Sequence, residues 1–169
     1  MVGHISLEEQ VNKEFGLARR KALFGWITAR LRRDASSDGL LCFEGFGEVP
    51  GASARVYRGR RKVPVAQIGG SVGRCSELDR DFMPASASVK ESWKRVDRAF
   101  HLGEELPPVS LYKVGGFYFV LDGHHRVSVA HYHGVEWIDA VVTEFDSGLR
   151  SDQRDKEGLI ELSVVGDRG

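Results

Sequence analysis

Apolar residues recur at helical intervals near the start of the chain. Leu7, Val11, Phe15, Ala18, Ala22, Trp26, Ile27 and Leu31 form one stripe of a helix predicted over 6–33. Ser6 and Glu9 have capping-box spacing at its start. Gly16 and Gly25 predict a bend or a break within it, and DASSDG (34–39) a stop. A second stripe of Val89, Trp93, Val96 and Phe100 predicts a helix over 89–101, with Gly103 placed to end it. Between the two helices lie a short apolar segment, LLCFEGFGE (40–48), and a loop or weak strand, VPGASARVYRGRRK (49–62). VPVAQI (63–68) reads as a strand, GGSVGR (69–74) as a glycine-rich loop, and 75–88 as irregular chain. Pro107 and Pro108 force an extended approach to a hairpin. VSLYKV (109–114) and FYFVLD (117–122) flank Gly115-Gly116, a pair suited to a primed turn. GHHRVSVAHYHG (123–134) follows as a short helix closed by Gly134, and EWIDAVVTEF (136–145) alternates as a strand. LIELSVV (159–165) offers one more strand.

Composition narrows the class. The chain has 169 residues, 41% hydrophobic and 28% charged, which suits one globular domain with an appendage. Lys plus Arg equals Asp plus Glu at 24 each, so net charge selects no partner. Residues 1–62 hold 12 basic and 7 acidic side chains, a mild dipole, weaker than nucleic-acid binders usually carry. Arg55, Arg58, Arg60, Arg61 and Lys62 come without an acid among them, as a solvated basic loop or a contact for nucleic acid. Cys42 and Cys75 are too few and too far apart for a disulfide framework or a zinc pair. They read as reduced thiols of a cytoplasmic protein. No segment approaches the ~20 apolar residues needed to cross a bilayer.

The chemistry concentrates at Gly123-His124-His125-Arg126, where a strand ends and a helix begins. The first amides of a helix are unpaired and partially positive, which favours an anion. Gly123 lets a ligand approach the backbone. Arg126 supplies a forked cation matched to phosphate oxygens. His124 and His125 donate hydrogen bonds and titrate near neutrality, and Asp122 caps the helix or orients a histidine. A plain strand-to-helix turn with exposed histidines fits the four residues equally well. The anion reading requires the amides and the guanidinium to face open space; turned inward against protein carboxylates, they hold nothing. Within GGSVGR, Ser71 and the backbone amides could cradle a second side of a phosphate, with Arg74 as clamp. Glu77, Asp79, Glu104, Glu105 and Asp122 are candidate magnesium ligands or general bases. A metal-only site is not expected: among His124, His125, His131 and His133 no pair has i, i+4 spacing, and no HExxH or CxxC occurs. The aromatics Trp93, Phe100, Tyr112, Phe117, Tyr118 and Phe119 are expected to pack in the core and the hairpin.

The span from about Val63 to Glu144 resembles the ParB/sulfiredoxin-like superfamily. The order is strand, arginine-bearing loop, helix, LPPVSLY, hairpin, then a G-x-x-R turn opening a helix, a glycine and a last strand. Gly123, His124, His125 and Arg126 stand where ParB proteins have Gly-Glu-Arg-Arg, a turn that binds nucleoside triphosphate phosphates, and where sulfiredoxins have Gly-Cys-His-Arg. His124 replaces the reactive cysteine, so the sulfiredoxin reaction does not carry over. Arg74 resembles the arginine after the first ParB strand. Only about 25 residues follow Glu144, too few for the DNA-binding and dimerisation parts of a partition protein.

The resemblance implies a small α/β (α+β) domain over 63–145, with a mixed sheet and packed helices. An N-terminal helical extension (1–62) precedes it, and a tail (146–169) with at most one added strand follows. It implies a nucleotide or other phosphate ester at Gly123–Arg126, with Arg74 and Ser71 assisting. A nucleoside triphosphate or diphosphate would come with Mg2+. If a reaction occurs, it is phosphoryl transfer or nucleotide hydrolysis, with Asp122 or His124 handling a proton. The competing reading is a non-catalytic DNA-associated or regulatory module using the basic residues of 55–62. A third is a protein-interaction module whose turn has lost its ligand.

Overall fold

The structure, a computed structural model, describes residues 5–31, 40–42 and 55–145. The turn expected at 34–39, most of 40–48 and the strand expected at 159–165 lie outside the described residues, as do the side chains of Trp26, Ile27 and Leu31. The fold is of the α+β class. Helix α1 (Leu7–Leu31) is followed by β1 (Leu41–Cys42), β2 (Arg55–Pro64) and β3 (Ile68–Ser71). Then come α2 (Lys90–His101), the hairpin β4 (Val109–Val114) and β5 (Phe117–Asp122), α3 (His124–Tyr132) and β6 (Trp137–Phe145). The strands form one mixed sheet in the order β1-β3-β5-β4-β6-β2. β3 lies parallel to β5 and β4 parallel to β6, while β4/β5 and β2/β6 are antiparallel.

α1 begins where its capping box puts it. Ser6 N donates to Glu9 Oε2 at 3.1 Å and Glu9 N to Ser6 Oγ at 3.3 Å, so two terminal amides are satisfied reciprocally. The helix runs through Gly16 and Gly25 unbroken. Val11, Phe15, Ala18 and Ala22 bury its stripe, and that packing outweighs the weak propensity of the glycines. α2 presents Trp93, fully buried, beside Val89, with Phe100 near the surface. Phe15 and Trp93 meet at 5.6 Å, and Trp93 Nε1 donates to the buried Ser128 Oγ on α3 at 2.9 Å. α3 is therefore a middle layer. Its Val127 joins the sheet-side cluster with Val63, Val109, Leu111, Val120 and Val142. Its Val129 joins the helix-side cluster with Phe15, Met83 and Trp93.

Two strand expectations shift. VPVAQI is not one strand: β2 ends at Pro64, a 3-10 turn occupies Val65–Gln67, and β3 is Ile68–Ser71, which takes in the first half of the expected glycine loop. Val63 and Val65 are buried, so their β-branched side chains are used for packing on either side of a corner. The basic segment is a long strand, paired with β6 from Arg55↔Phe145 to Pro64↔Trp137. The expected domain edge at 62/63 thus falls inside β2, and residues 55–62 belong to the sheet.

Candidate functional site at the start of α3

β5 delivers Asp122 to the end of the sheet, and the chain turns at Gly123 with φ 94 and ψ 26, the left-handed region. Glycine is required twice. A Cβ here would lie 2.6 Å from Val109 Cγ1 and 3.0 Å from Arg126 Cζ and Nε. The close approach that the glycine permits is that of the protein's own arginine.

Arg126 is committed to the fold. Its Nη1 donates to Pro107 O at 2.5 Å and to Pro108 O at 2.9 Å, and its Nη2 to Asp122 Oδ2 at 2.7 Å. The guanidinium straps the extended approach to β4 onto the first turn of α3. A phosphate clamp formed by Arg126 would have to break these bonds, so the part of the anion reading that depends on this side chain is withdrawn. Asp122 caps no amide. It is largely exposed and its partner is Arg126.

The amides tell the other half. No side chain caps α3, and the first backbone bond at this end is Val127 N to Gly123 O at 3.0 Å. Among the described residues, the N–H groups of His124, His125 and Arg126 find no acceptor. Beside them sit Arg74, about half exposed, and His125, whose Nε2 is buried without a hydrogen-bond partner. Glu77 Oε2 lies 3.6 Å from Arg74 Nη1 and 3.9 Å from His125 Nε2, at ion-pair rather than hydrogen-bond separation. Burial lowers the pKa of His125, Arg74 adds to the effect, and Glu77 opposes it.

His124 points the other way. Its Nε2 lies 2.7 Å from Ser71 Oγ, in a pair in which Ser71 is fully buried and His124 is 5% exposed. The pair ties β3 to α3 and reaches no solvent, so neither side chain is placed to touch a ligand. Burial, helped by the nearby Arg74 charge, pushes the His124 pKa down to about 4 from 6.5. His124 thus stays neutral in the folded state at pH values where the unfolded chain has bound a proton. Stability from this group is present above about pH 6.5 and is lost as pH falls toward about 4. The loss is on the order of 2 kcal/mol. Urea unfolding across that window should show wild type weakening on acidification and His124→Gln following a flatter line. Parallel lines would contradict the assignment.

The remaining candidates disperse. Asp79 accepts from Asp81 N and Met83 N at 2.9 and 2.8 Å and shapes a turn. Glu104 and Glu105 are exposed, and Glu105 lies 3.8 Å from Arg60. Arg58 pairs with Glu144 at 2.7 Å and Arg60 with Asp139 at 3.1 Å across β2 and β6, while Arg55 lies over Phe145. Of the bases that carry no acid among them in sequence, Arg58 and Arg60 meet their acids on the neighbouring strand. Cys75, expected as a reduced thiol, is disulfide-bonded. Cys42, the chain's only other cysteine, lies on β1 opposite Ser71. The cysteines therefore no longer argue for a reducing compartment. No described helix is long and apolar enough to cross a membrane.

Compared with known proteins, the chain matches no family model, no curated protein and no solved structure.

Proposed function

We propose that this chain binds an oxyanion at the start of α3, and that its ligand is a nucleotide or another phosphate ester. The observation that carries the reading is the uncapped first turn: three backbone donors without an acceptor among the described residues, close to the half-exposed Arg74. Helix geometry concentrates positive potential there. Glu77 already brings one carboxylate oxygen between Arg74 and His125. With magnesium, Glu77 becomes a ligand of the ion that accompanies a nucleotide, which turns a repulsion into a bridge. The resemblance of residues 63–144 to ParB-type domains supports the same ligand class. His124 and Ser71 serve the site from behind, by fixing α3 against β3.

The proposal is binding, with no base assigned. His124 is enclosed and Asp122 is held by Arg126. The alternative, a DNA-associated module reading backbone phosphates through β2, is less well supported, because Arg58 and Arg60 are already neutralised by Glu144 and Asp139.

A thermal-shift panel of nucleotides with magnesium separates these readings. Ligand at about a hundred times its Kd stabilises the fold by about 2.7 kcal/mol. Arg74→Ala should weaken the effect about tenfold, the value of one charge-assisted contact, while leaving the unliganded midpoint near wild type. A midpoint that no nucleotide or inorganic phosphate moves would remove the proposal. Binding of DNA that collapses with added salt would replace it with the nucleic-acid reading.

A further inference from the structure

A second constellation lies away from the α3 turn, on the helical side of the molecule. Glu14 on α1, Asp97 and His101 on α2 and His133 at the C-terminal cap of α3 each offer a donor atom, and these four atoms lie within 4.8 Å of one another. We propose that these side chains form a binding site for a zinc-class divalent transition metal, with all four as ligands.

The geometry is close to what such an ion needs. His101 Nε2 is 2.7 Å from Glu14 Oε2, and His133 Nε2 is 2.7 Å from Asp97 Oδ1. The cross distances are 3.9 Å from His101 to Asp97 and 3.7 Å from His133 to Glu14. Tetrahedral zinc with nitrogen and oxygen donors sets neighbouring ligand atoms about 3.3 Å apart. Four of the six edges bracket that value and the other two lie within 4.8 Å, so side-chain adjustments of up to about 1.5 Å admit the ion. Metal binding needs each Nε2 to present its lone pair to the ion, so the hydrogen bonds from imidazole to carboxylate are exchanged for bonds to the metal.

The second observation is a buried polar atom without a partner. Asp97 is fully buried and its Oδ2 has no hydrogen-bond partner. A buried carboxylate oxygen left unpaired costs free energy that an adjacent cation relieves. The surroundings are also built. Gln10 Nε2 donates to the other oxygen of Glu14 at 3.1 Å and so orients the carboxylate. The Phe100 ring stacks on His133 at 4.2 Å and 15°, fixing the imidazole plane.

Donor chemistry selects the ion. Two imidazoles and two carboxylates form a borderline set that suits zinc, cobalt or nickel. Calcium and magnesium prefer six or more oxygen ligands. Two negative charges balance a dication, so the buried cluster becomes neutral. Four protein ligands from three helices describe a structural site rather than a catalytic one. Partial exposure of Glu14, His101 and His133 leaves a path for the ion.

The test uses untagged protein stripped with a chelator. Calorimetric titration with zinc should show one equivalent bound and a raised thermal midpoint. Cobalt(II) should give the intense visible bands of a tetrahedral ion. Glu14→Gln and His101→Gln, which keep size and polarity, should weaken zinc by more than about a hundredfold, above the usual cost of losing an outer-shell partner. Failure of the wild-type protein to take up zinc or cobalt would overturn the proposal, as would stoichiometric binding unchanged in both variants. The wild-type cobalt spectrum decides the matter even if a variant does not fold: bands of an octahedral aquo-like ion count against the site.

Discussion

Gly123→Ala is expected to destabilise the fold by about 3 kcal/mol, the sum of two costs that the structure separates. The first is conformational: φ 94 places the residue where an L side chain is strained by about 1–2 kcal/mol. The second is steric. The new Cβ would meet Val109 Cγ1 at 2.6 Å and the Arg126 guanidinium at 3.0 Å, and overpacking of this kind costs about 1–3 kcal/mol. Val109 is fully buried on β4, within the sheet-side core cluster. Urea denaturation measures the total. The double substitution Gly123→Ala with Val109→Ala apportions it: the steric part should be recovered relative to the sum of the single variants, and the conformational part should remain. Simple additivity would show that the turn accommodates a methyl group by moving the backbone.

Arg126→Ala is expected to cost a similar amount, about 3 kcal/mol. The side chain is mostly buried and donates to two backbone carbonyls, those of Pro107 and Pro108. Hydrogen bonds from a charged donor are worth about 1.5–3 kcal/mol each in such places. The third bond, to the exposed carboxylate of Asp122, adds little because solvent screens it. Arg126→Lys should recover less than half of the loss, since one ammonium cannot reproduce the fork that reaches both carbonyls. Denaturation midpoints of the two variants check this directly. A wild-type midpoint for Arg126→Ala would mean that the guanidinium is free for a ligand after all. The expected result has a practical corollary: lost binding in Arg126→Ala reports lost structure, and Arg74→Ala is the informative variant.

Local signals predicted the elements whose spacing or capping can be read within a few residues. The Ser6–Glu9 box and the Gly115-Gly116 turn depend on neighbours within a few residues, the α2 stripe and α3 (His124–Tyr132) show in the spacing of their apolar residues, and all stand where the pattern put them. β2 was harder because it is exposed along most of its length. Its arginines look like a loop until β6 supplies Asp139 and Glu144 opposite them. β3 is glycine-rich, so its strand character comes from pairing with β5 rather than from propensity.

At the α3 turn, the sequence singled out Gly123 and Arg126 for a ligand, whereas their partners in the fold are Val109, the Pro107 and Pro108 carbonyls and Asp122. Val109, Pro107 and Pro108 reach the turn through the β4–β5 pairing, which no spacing rule encodes. The helical cluster left one local trace, the i, i+4 pair Asp97 and His101. A search for paired histidines or cysteines passes over an Asp–His pair, and Glu14 and His133 join it only through helix packing.

Among the described residues, β2 is the last strand of the sheet on its side. Such a margin exposes unpaired backbone groups that another molecule's strand can extend. Here the ladder slips between Tyr57 and Gly59, and Gly59 adopts φ 71. Five cations crowd into the eight residues from Arg55 to Lys62. An incoming strand from a second copy would meet a kinked template and the charges of Arg55, Arg61 and Lys62, which no ion pair neutralises among the described residues. The arginine-rich margin is therefore a poor template for strand addition by a second copy.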